Sequence, residues 1–209
     1  MERGKFIVLE GGEGSGKSVM MERLRAEFLR GTVFTRDPGG VSLGEETRRL
    51  VLSADARGID AGAELLLFLA ARAQLIAELI APALQEGKHV ICDRFILSTI
   101  AYQVYGRQKQ EYLPLVKSTF AAISRGCMPD VTIFLDVTPE IGLQRVHLRM
   151  QAANRFDDEG LPFHELIRQG YKKHIGEYGR PVIIDASKPL EEVWTDVKNA
   201  VQSALSISV

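Results

Sequence analysis

Apolar residues fall along this chain in short continuous runs, separated by longer stretches of helical period. The runs are Phe6-Ile7-Val8-Leu9, Val33-Phe34-Thr35, His89-Val90-Ile91-Cys92, Val131-Thr132-Ile133-Phe134-Leu135 and Val182-Ile183-Ile184. Runs this short, bounded by Gly, Pro and charged residues, predict buried strands. The near-continuous apolar character of 131–135 fits a strand covered on both faces. Between the runs the period changes. Met21, Leu24, Phe28 and Leu29 share one face of a helix. Residues 62–86 predict one long helix with Leu65, Phe68, Leu69, Leu75, Ile76, Leu79 and Ile80 as its stripe, and Pro82 either kinks it or is accommodated near its end. Residues 108–125 predict another, with Leu113, Val116, Phe120 and Ile123 inward and Gly126 as its stop. Thr138-Pro139-Glu140 has the N-cap, first-turn proline and early anion of a helix start. Helices are also expected over about 161–178 and from Pro189 to about Leu205. Strands alternating with helices predict an α/β fold of three layers, a five-stranded parallel sheet flanked by helices.

Composition narrows this picture. With 209 residues and no repeat or linker, one domain over 1–209 is expected rather than two. The apolar fraction of 45% and charged fraction of 25% are ordinary for a globular chain. The formal net charge of -1 gives no basic excess, so no nucleic-acid polymer partner is expected. Cys92 and Cys127 lack metal-ligand spacing, as do His147, His164 and His174. The first apolar run is too short for a signal segment, and no stretch approaches the roughly 20 apolar residues of a membrane span. The expectation is a cytoplasmic protein with no membrane partner.

The first candidate for chemistry follows the first strand. Gly11-x4-Gly16-Lys17-Ser18 has the spacing of a phosphate-binding loop and lies between a predicted strand and a predicted helix. Gly11, Gly12, Gly14 and Gly16 let backbone N–H groups turn inward around phosphate oxygens, with Glu13 and Ser15 between them. The following helix adds its free N–H groups and positive dipole end. Lys17 reaches the β- and γ-phosphates, and the Ser18 hydroxyl can ligate Mg²⁺.

Other candidates fall where a parallel sheet binds ligands, beyond the carboxyl ends of its strands. Arg36 and Asp37 follow the second run; a solvated charge pair in a turn and a ligand-facing pair both stand. Arg72 is one helical turn after Phe68. That pair reads either as a snorkelling side chain at the stripe's edge or as an aromatic platform with a guanidinium for a flat heterocycle. Asp93 and Arg94 follow the third run, and a carboxylate and a guanidinium there suit Mg²⁺ and phosphate. The bland reading is a structural pair closing the turn. Ser98, Thr99, Tyr102 and Gln103 form a polar strip that, alone, would be an exposed helix face. Residues 151–160 lose periodicity and read as a surface loop or as a lid that excludes water from a kinase reaction.

Taken together, Phe6–Ser18, Phe34–Gly40, Leu67–Gln74, Asp93–Gln103, Pro129–Glu140 and Asp157–Gly160 resemble the thymidylate kinases of bacterial type, P-loop nucleoside monophosphate kinases. The resemblance covers about residues 5 to 206. It implies transfer of the γ-phosphoryl of ATP to dTMP, giving dTDP and ADP on the way to dTTP. It implies a homodimer, with ATP as co-substrate and Mg²⁺ held at Ser18 and Asp93. Gly11 to Ser18 would bind the ATP phosphates. Glu13 would approach the 3′-hydroxyl of the deoxynucleotide. Phe68 would stack on thymine, Arg72 would hydrogen-bond its carbonyl, and Thr99 and Gln103 would lie near the base edge. Tyr102 would crowd the sugar C2′. Arg94 would hold the dTMP phosphate, with Arg36, Asp37 and Ser98 lining that part of the site. Asp37 stands where relatives usually carry glutamate. Some relatives place an arginine inside the phosphate loop, but Gly12 to Ser15 contain no basic residue. The resemblance then moves that charge to a lid over about 150–160, where Arg149 and Arg155 are the catalytic candidates and Arg145 is next. A kinase for another deoxynucleotide or deoxynucleoside, and a non-catalytic ATP-binding protein, are the alternatives.

Overall fold

The computed structural model describes residues 2–53, 58–148 and 155–206. Five parallel strands, β1 (Phe6–Gly11), β2 (Thr32–Arg36), β3 (His89–Asp93), β4 (Val131–Asp136) and β5 (Arg180–Asp185), stand in the order β2-β3-β1-β4-β5. Each strand contains one of the apolar runs, extended by one to three residues. The sheet is buried on both sides because successive side chains point to opposite faces. In β1, Phe6 and Val8 pack into the core on one face, and Ile7 and Leu9 into the core on the other. In β3, Val90 and Cys92 take the first face and Ile91 the second.

On the second face lie α1 (Lys17–Phe28), through Met20 and Leu24, and α9 (Leu190–Ser206), through Val193, Val197 and Val201. On the first lie α3 (Ala61–Leu75), its continuation through a π turn (Ile76–Ile80) into α4 (Ala81–Gln85), and α5 (Ile96–Thr99), which runs into a seven-residue π turn (Ile100–Gly106). Thus β1 sends its connection to one face and neighbouring β3 sends its connection to the other. The crevice between two such strands is where this architecture binds ligands.

Two expectations need correction, one open reading is resolved and one helix is new. The helix from Ala61 to Gln85 is 25 residues long and, by length and composition alone, apolar enough to cross a membrane. Half of its most apolar stretch is buried inside the protein, and Leu65, Leu69, Leu75, Ile76 and Ile80 lie in the core. Pro82 is accommodated rather than kinking the helix. The π turn immediately before it has Ala81 N–H bonding to Ile76 O, and Pro82 then falls in the first turn of α4, where no N–H is required of it. The helix expected from 108 is a 3₁₀ turn (Gln110–Tyr112) followed by α6 (Leu113–Ile123), because Pro114 sets the first helical turn. One helix, α2 (Ser42–Leu52), was not expected: its apolar residues are few, and Leu43 and Leu50 are exposed while its buried residues are Gly44, Thr47 and Val51.

The phosphate loop leans on α7 (Pro139–Leu148), and α8 (Leu161–His174) packs beside the second π turn. Contact between loop and α7 is backbone to backbone. A Cβ on Gly142 would meet Glu13 O at 2.4 Å, and one on Gly14, which has φ 67°, would meet Gly142 O at 2.0 Å. Alanine favours a helix interior over glycine by about 1 kcal/mol, so Gly142→Ala should fold. The displaced loop should lower kcat/KM for ATP by on the order of 100-fold. Steady-state kinetics beside a thermal melt check this, and unchanged ATP kinetics would refute the close contact.

Candidate active site

Among the described residues, a cavity of about 970 Å³ opens over the carboxyl ends of β1 and β3. Glu13 to Ser18 cross its middle. Phe68, Arg72, Thr99, Gln103 and Phe156 line one end, and Val19, Arg145, Ala186, Lys188, Leu190 and Val193 the other.

The loop's geometry follows from its glycines. Gly16 adopts φ 87° and places Lys17 at the first residue of α1, which has no side-chain cap and no acidic residue in its first turn. The helix end therefore keeps free N–H groups for an anion. Buried Lys17 folds back on the loop, donating from Nζ to Gly11 O (2.8 Å), Gly12 O (3.1 Å) and Ser15 Oγ (3.3 Å). Burial pulls its pKa down to about 8, with Arg94 adding to the shift and Asp93, Glu13 and Glu10 opposing it.

Arg94 joins the two strands. It has φ 68°, in the left-handed region, and its backbone N–H reaches Leu9 O at 2.9 Å. Its guanidinium donates to Gly11 O (2.9 Å), Ser98 Oγ (3.2 Å), Tyr171 Oη (3.0 Å) and Glu13 Oε1 (3.1 Å), and lies 4.9 Å from the Tyr102 ring centre. Tyr102 donates to the same Glu13 oxygen at 2.9 Å. Burial alone would raise the Glu13 carboxyl, but Arg94 and Lys17 outweigh it and hold the pKa below the usual range. Beneath them, Glu10 is fully buried and accepts from Phe95 N, Ser98 N, Ser98 Oγ and Tyr171 Oη. Burial pushes its pKa up to about 7, against the lowering effects of Ser98 and Arg94.

Asp93 ends β3 and lines the cavity together with Ser18. Its Oδ1 is buried without a hydrogen-bond partner, as a carboxylate waiting for a hydrated cation would be. Among the described residues no three His, Cys, Asp or Glu side chains converge on a metal site. One hydroxyl and one carboxylate suit a magnesium ion that arrives with phosphates and keeps several waters.

At the far end, α3 presents Phe68 and Arg72 to the cavity. Arg72 is about as buried as any residue here, at 1% exposure, so it is not a snorkelling edge residue. Its Nε donates to Asp37 Oδ2 (2.5 Å), and its Nη2 donates to Thr99 Oγ1 (2.7 Å) and Phe95 O (3.2 Å). Asp37 is thereby the counterion of Arg72, although burial raises its carboxyl pKa overall. Ser98, Thr99, Tyr102 and Gln103 are all buried and line the cavity, so the polar strip is the site's wall rather than a solvated face.

Several sequence-named residues lie elsewhere. Arg36 is exposed, pairs with Glu45 at 2.7 Å and does not line the cavity. Its expected place is taken by half-buried Arg48 of α2, which lines the cavity and donates to Pro38 O at 3.3 Å. Burial lowers the Arg48 pKa, with Arg36 next in effect. Arg48 was illegible because its helix was. Arg155 is not at the phosphate loop. It is buried, with Nε donating to Val51 O and Nη2 to Glu64 Oε2, each at 2.5 Å. Arg149 lies outside the described residues. Arg145 does reach the loop, donating to Ala186 O (2.8 Å) and Gly14 O (3.4 Å). Tyr171, Phe156 and the β5–α9 residues Ala186, Lys188 and Leu190 were also missed, since neither spacing nor type marks them.

Comparison with known proteins agrees with this geometry. The family model described as thymidylate kinase matches residues 9–197. The thymidylate kinase of Clostridium novyi is 42% identical over 203 residues, covering 95% of this chain and 98% of its own. That of Bacillus pumilus is 40% identical over 207 residues, covering 97% of each chain. That of Protochlamydia amoebophila is 43% identical over 222 residues, covering 93% of this chain and 95% of its own. With a phosphate loop at the end of β1, a carboxylate and guanidinium at the end of β3 and a likeness that runs nearly end to end, the chain belongs to the thymidylate kinase family.

Proposed function

We propose that this chain transfers the γ-phosphoryl of ATP to dTMP in the following arrangement, acting as one kinase domain over 1–209 with a lid near 150–160. The observation that carries it is the convergence of Lys17, Asp93, Arg94 and Arg48 on one cavity that also offers a buried aromatic and guanidinium at one end. ATP takes the loop, its phosphates replacing Gly11 O, Gly12 O and Ser15 Oγ as partners of Lys17. Its base lies toward Arg145, Leu190 and Val193. Arg94 and Arg48 hold the dTMP phosphate. Phe68 stacks on thymine, while Glu13 and Tyr102 face the sugar. Ser18 and Asp93 would hold Mg²⁺, which supplies charge neutralisation at the phosphates when bound. The acceptor phosphate is already an oxyanion, so positioning and charge suffice without a strong general base. Lys17 and Arg145 flank the loop that lacks its own arginine, with Arg149 as the lid candidate. A cytoplasmic location is the simplest setting for these substrates. A homodimer is supported by exposed Leu43 and Leu50 on α2 and Leu66 on α3, apolar surface of the kind interfaces cover.

The deciding assay couples ADP release to a panel of dTMP, dUMP, dCMP, dGMP and thymidine with ATP and Mg²⁺. The dTMP reaction should be the fastest, and a preference for thymidine or a purine nucleotide would replace this reading. Phe68→Ala should raise KM for dTMP by at least roughly tenfold with little change for ATP, because about 3–5 kcal/mol of buried aromatic contact is at stake. Equal effects on both substrates would remove the base platform. Arg48→Ala should raise KM for dTMP by roughly 10- to 100-fold, the loss of one charge-assisted contact. Arg36→Ala should leave it near wild type. The reverse ranking would restore Arg36 to the site.

Lys17 sets a pH limit. Its ammonium binds phosphate and its amine does not, and its free-enzyme pKa is about 8. Thus kcat/KM for ATP should fall as pH rises through about 8, whereas bound phosphates hold the proton and delay the fall in kcat. An unperturbed lysine would keep kcat/KM flat to about pH 10.

A further inference from the structure

The floor of the base end is a seam between two helices. On α3, Glu64 and Arg72 lie one turn either side of Phe68 and share its face. Opposite them, Thr99, Gln103 and Arg107 follow at the same spacing. The seam closes by pairs. Arg72 Nη2 donates to Thr99 Oγ1 at 2.7 Å, and Gln103 Nε2 donates to Glu64 Oε1 at 2.9 Å. Glu64 also pairs with Arg155 (2.5 Å) and Arg107 (3.3 Å), and both Glu64 and Gln103 are 1% exposed.

A glutamine amide has nearly the same shape in either flip, so packing does not choose its orientation; the neighbours do. Between two guanidiniums Glu64 is a carboxylate and accepts only. Flipping Gln103 would set its carbonyl against that carboxylate, two buried acceptors with no proton between them. The amide nitrogen is therefore turned to the protein and Oε1 is left for a ligand. Among the described residues Oε1 accepts no hydrogen bond. On the same seam, Arg72 Nη1 is a buried donor without a partner. The site thus offers a fixed donor and a fixed acceptor.

We propose that Glu64, which does not itself line the cavity, is a specificity-determining positioning residue: by fixing the Gln103 amide it makes the site accept a pyrimidine whose ring N3 carries hydrogen and reject one whose N3 is an acceptor. This rests on the reading of the cavity as a dTMP site. Thymine and uracil present a carbonyl to Arg72 and N3–H to Gln103. Cytosine presents an amino group to a donor and a bare nitrogen to an acceptor, so it is mismatched at both points. Rejection by an oriented pair is stronger than rejection by shape, because the site's own groups are left unpaired.

The test is Glu64→Gln, assayed with dTMP and dCMP beside the wild type. The amide introduced by this substitution can donate or accept, so Gln103 is free to flip. The ratio of kcat/KM for dTMP to that for dCMP should fall by roughly tenfold or more, chiefly through KM, with KM for ATP unchanged. A variant that loses activity on both nucleotides by the same factor overturns the proposal, since a purely structural role weakens both alike. In the wild type with dTMP bound, the Gln103 side-chain amide protons should exchange slowly with solvent by NMR, and fast exchange overturns it independently of any variant. Wild-type turnover of dTMP in the same assay separates the two readings. If it is absent, the dTMP assignment fails; if present with an unchanged ratio, only the role of Glu64 fails.

Discussion

The site depends on the half-buried guanidinium of Arg94. It leaves β3 in a left-handed backbone conformation and binds Gly11 O at the end of β1, so it spans the crevice between the two strands. Burying such a group costs several kcal/mol of solvation, and its partners recover that only when nearly every donor is matched. Here Glu13, Ser98 and Tyr171 join Gly11 O as partners of its two terminal nitrogens, and among the described residues none accepts from its Nε. Beneath it Glu10 takes the N–H of Phe95 just ahead of the helix and shares that of Ser98 with Phe95 O. An ion network of this kind is poor evidence for stability. Its consequence is a cation held at a fixed place in the wall of the cavity.

Topology explains why two substrates can meet there. The connection from β1 turns to one face of the sheet and the connection from β3 to the other, which opens the crevice between them. The phosphate loop lies along the β1 side, braced by Gly142 of α7. The acceptor end is built on the β3 side from α3 and the π turn after α5. A π turn adds a residue to the helical repeat, and Thr99 to Gln103 lie where the α-helix gives way to it. Ser98, Thr99, Tyr102 and Gln103 are thereby buried beside one another, with Arg72 opposite Thr99 and Glu64 opposite Gln103.

Much of this was legible, and the reasons differ by element. The central strands β3, β1 and β4 declared themselves because both their faces are covered, so each reads as a nearly unbroken apolar run, whereas edge strand β5 showed its run although Ile183 is exposed. Gly11, Gly16, Lys17 and Ser18 declared themselves because phosphate binding demands those types at that spacing. Helix α2 did not, because two of its three buried residues are Gly44 and Thr47 and its Leu43 and Leu50 are exposed, and Arg48 was lost with it. Arg36 was misjudged for a related reason. Position at a strand's carboxyl end is necessary for a ligand contact but does not say which way a long side chain turns, and Glu45, carried by the unseen helix, draws it away. Arg72 and Asp37 were each noticed, but a buried pair 35 positions apart in sequence leaves no local trace of its pairing.

The arginine of the lid shows the same limit from the energetic side. Gly12 to Ser15 contain no basic residue, and Arg155 stands in the stretch expected to close over them. In the folded chain its guanidinium lies against Glu64 and the carbonyl of Val51, with the Phe156 ring 4.5 Å from it. Moving it to the phosphates would leave buried Glu64 with Arg107 as its remaining guanidinium, and stripping one partner from a buried ion pair costs about 3–5 kcal/mol. A catalytic cation that must first break such a pair raises its own barrier. Arg145 has no such obligation: it is held by backbone carbonyls, one of them Gly14 O of the loop itself. On the proposed reading, the charge that the loop lacks comes more cheaply from Arg145 of α7 than from Arg155, which stands paired with Glu64.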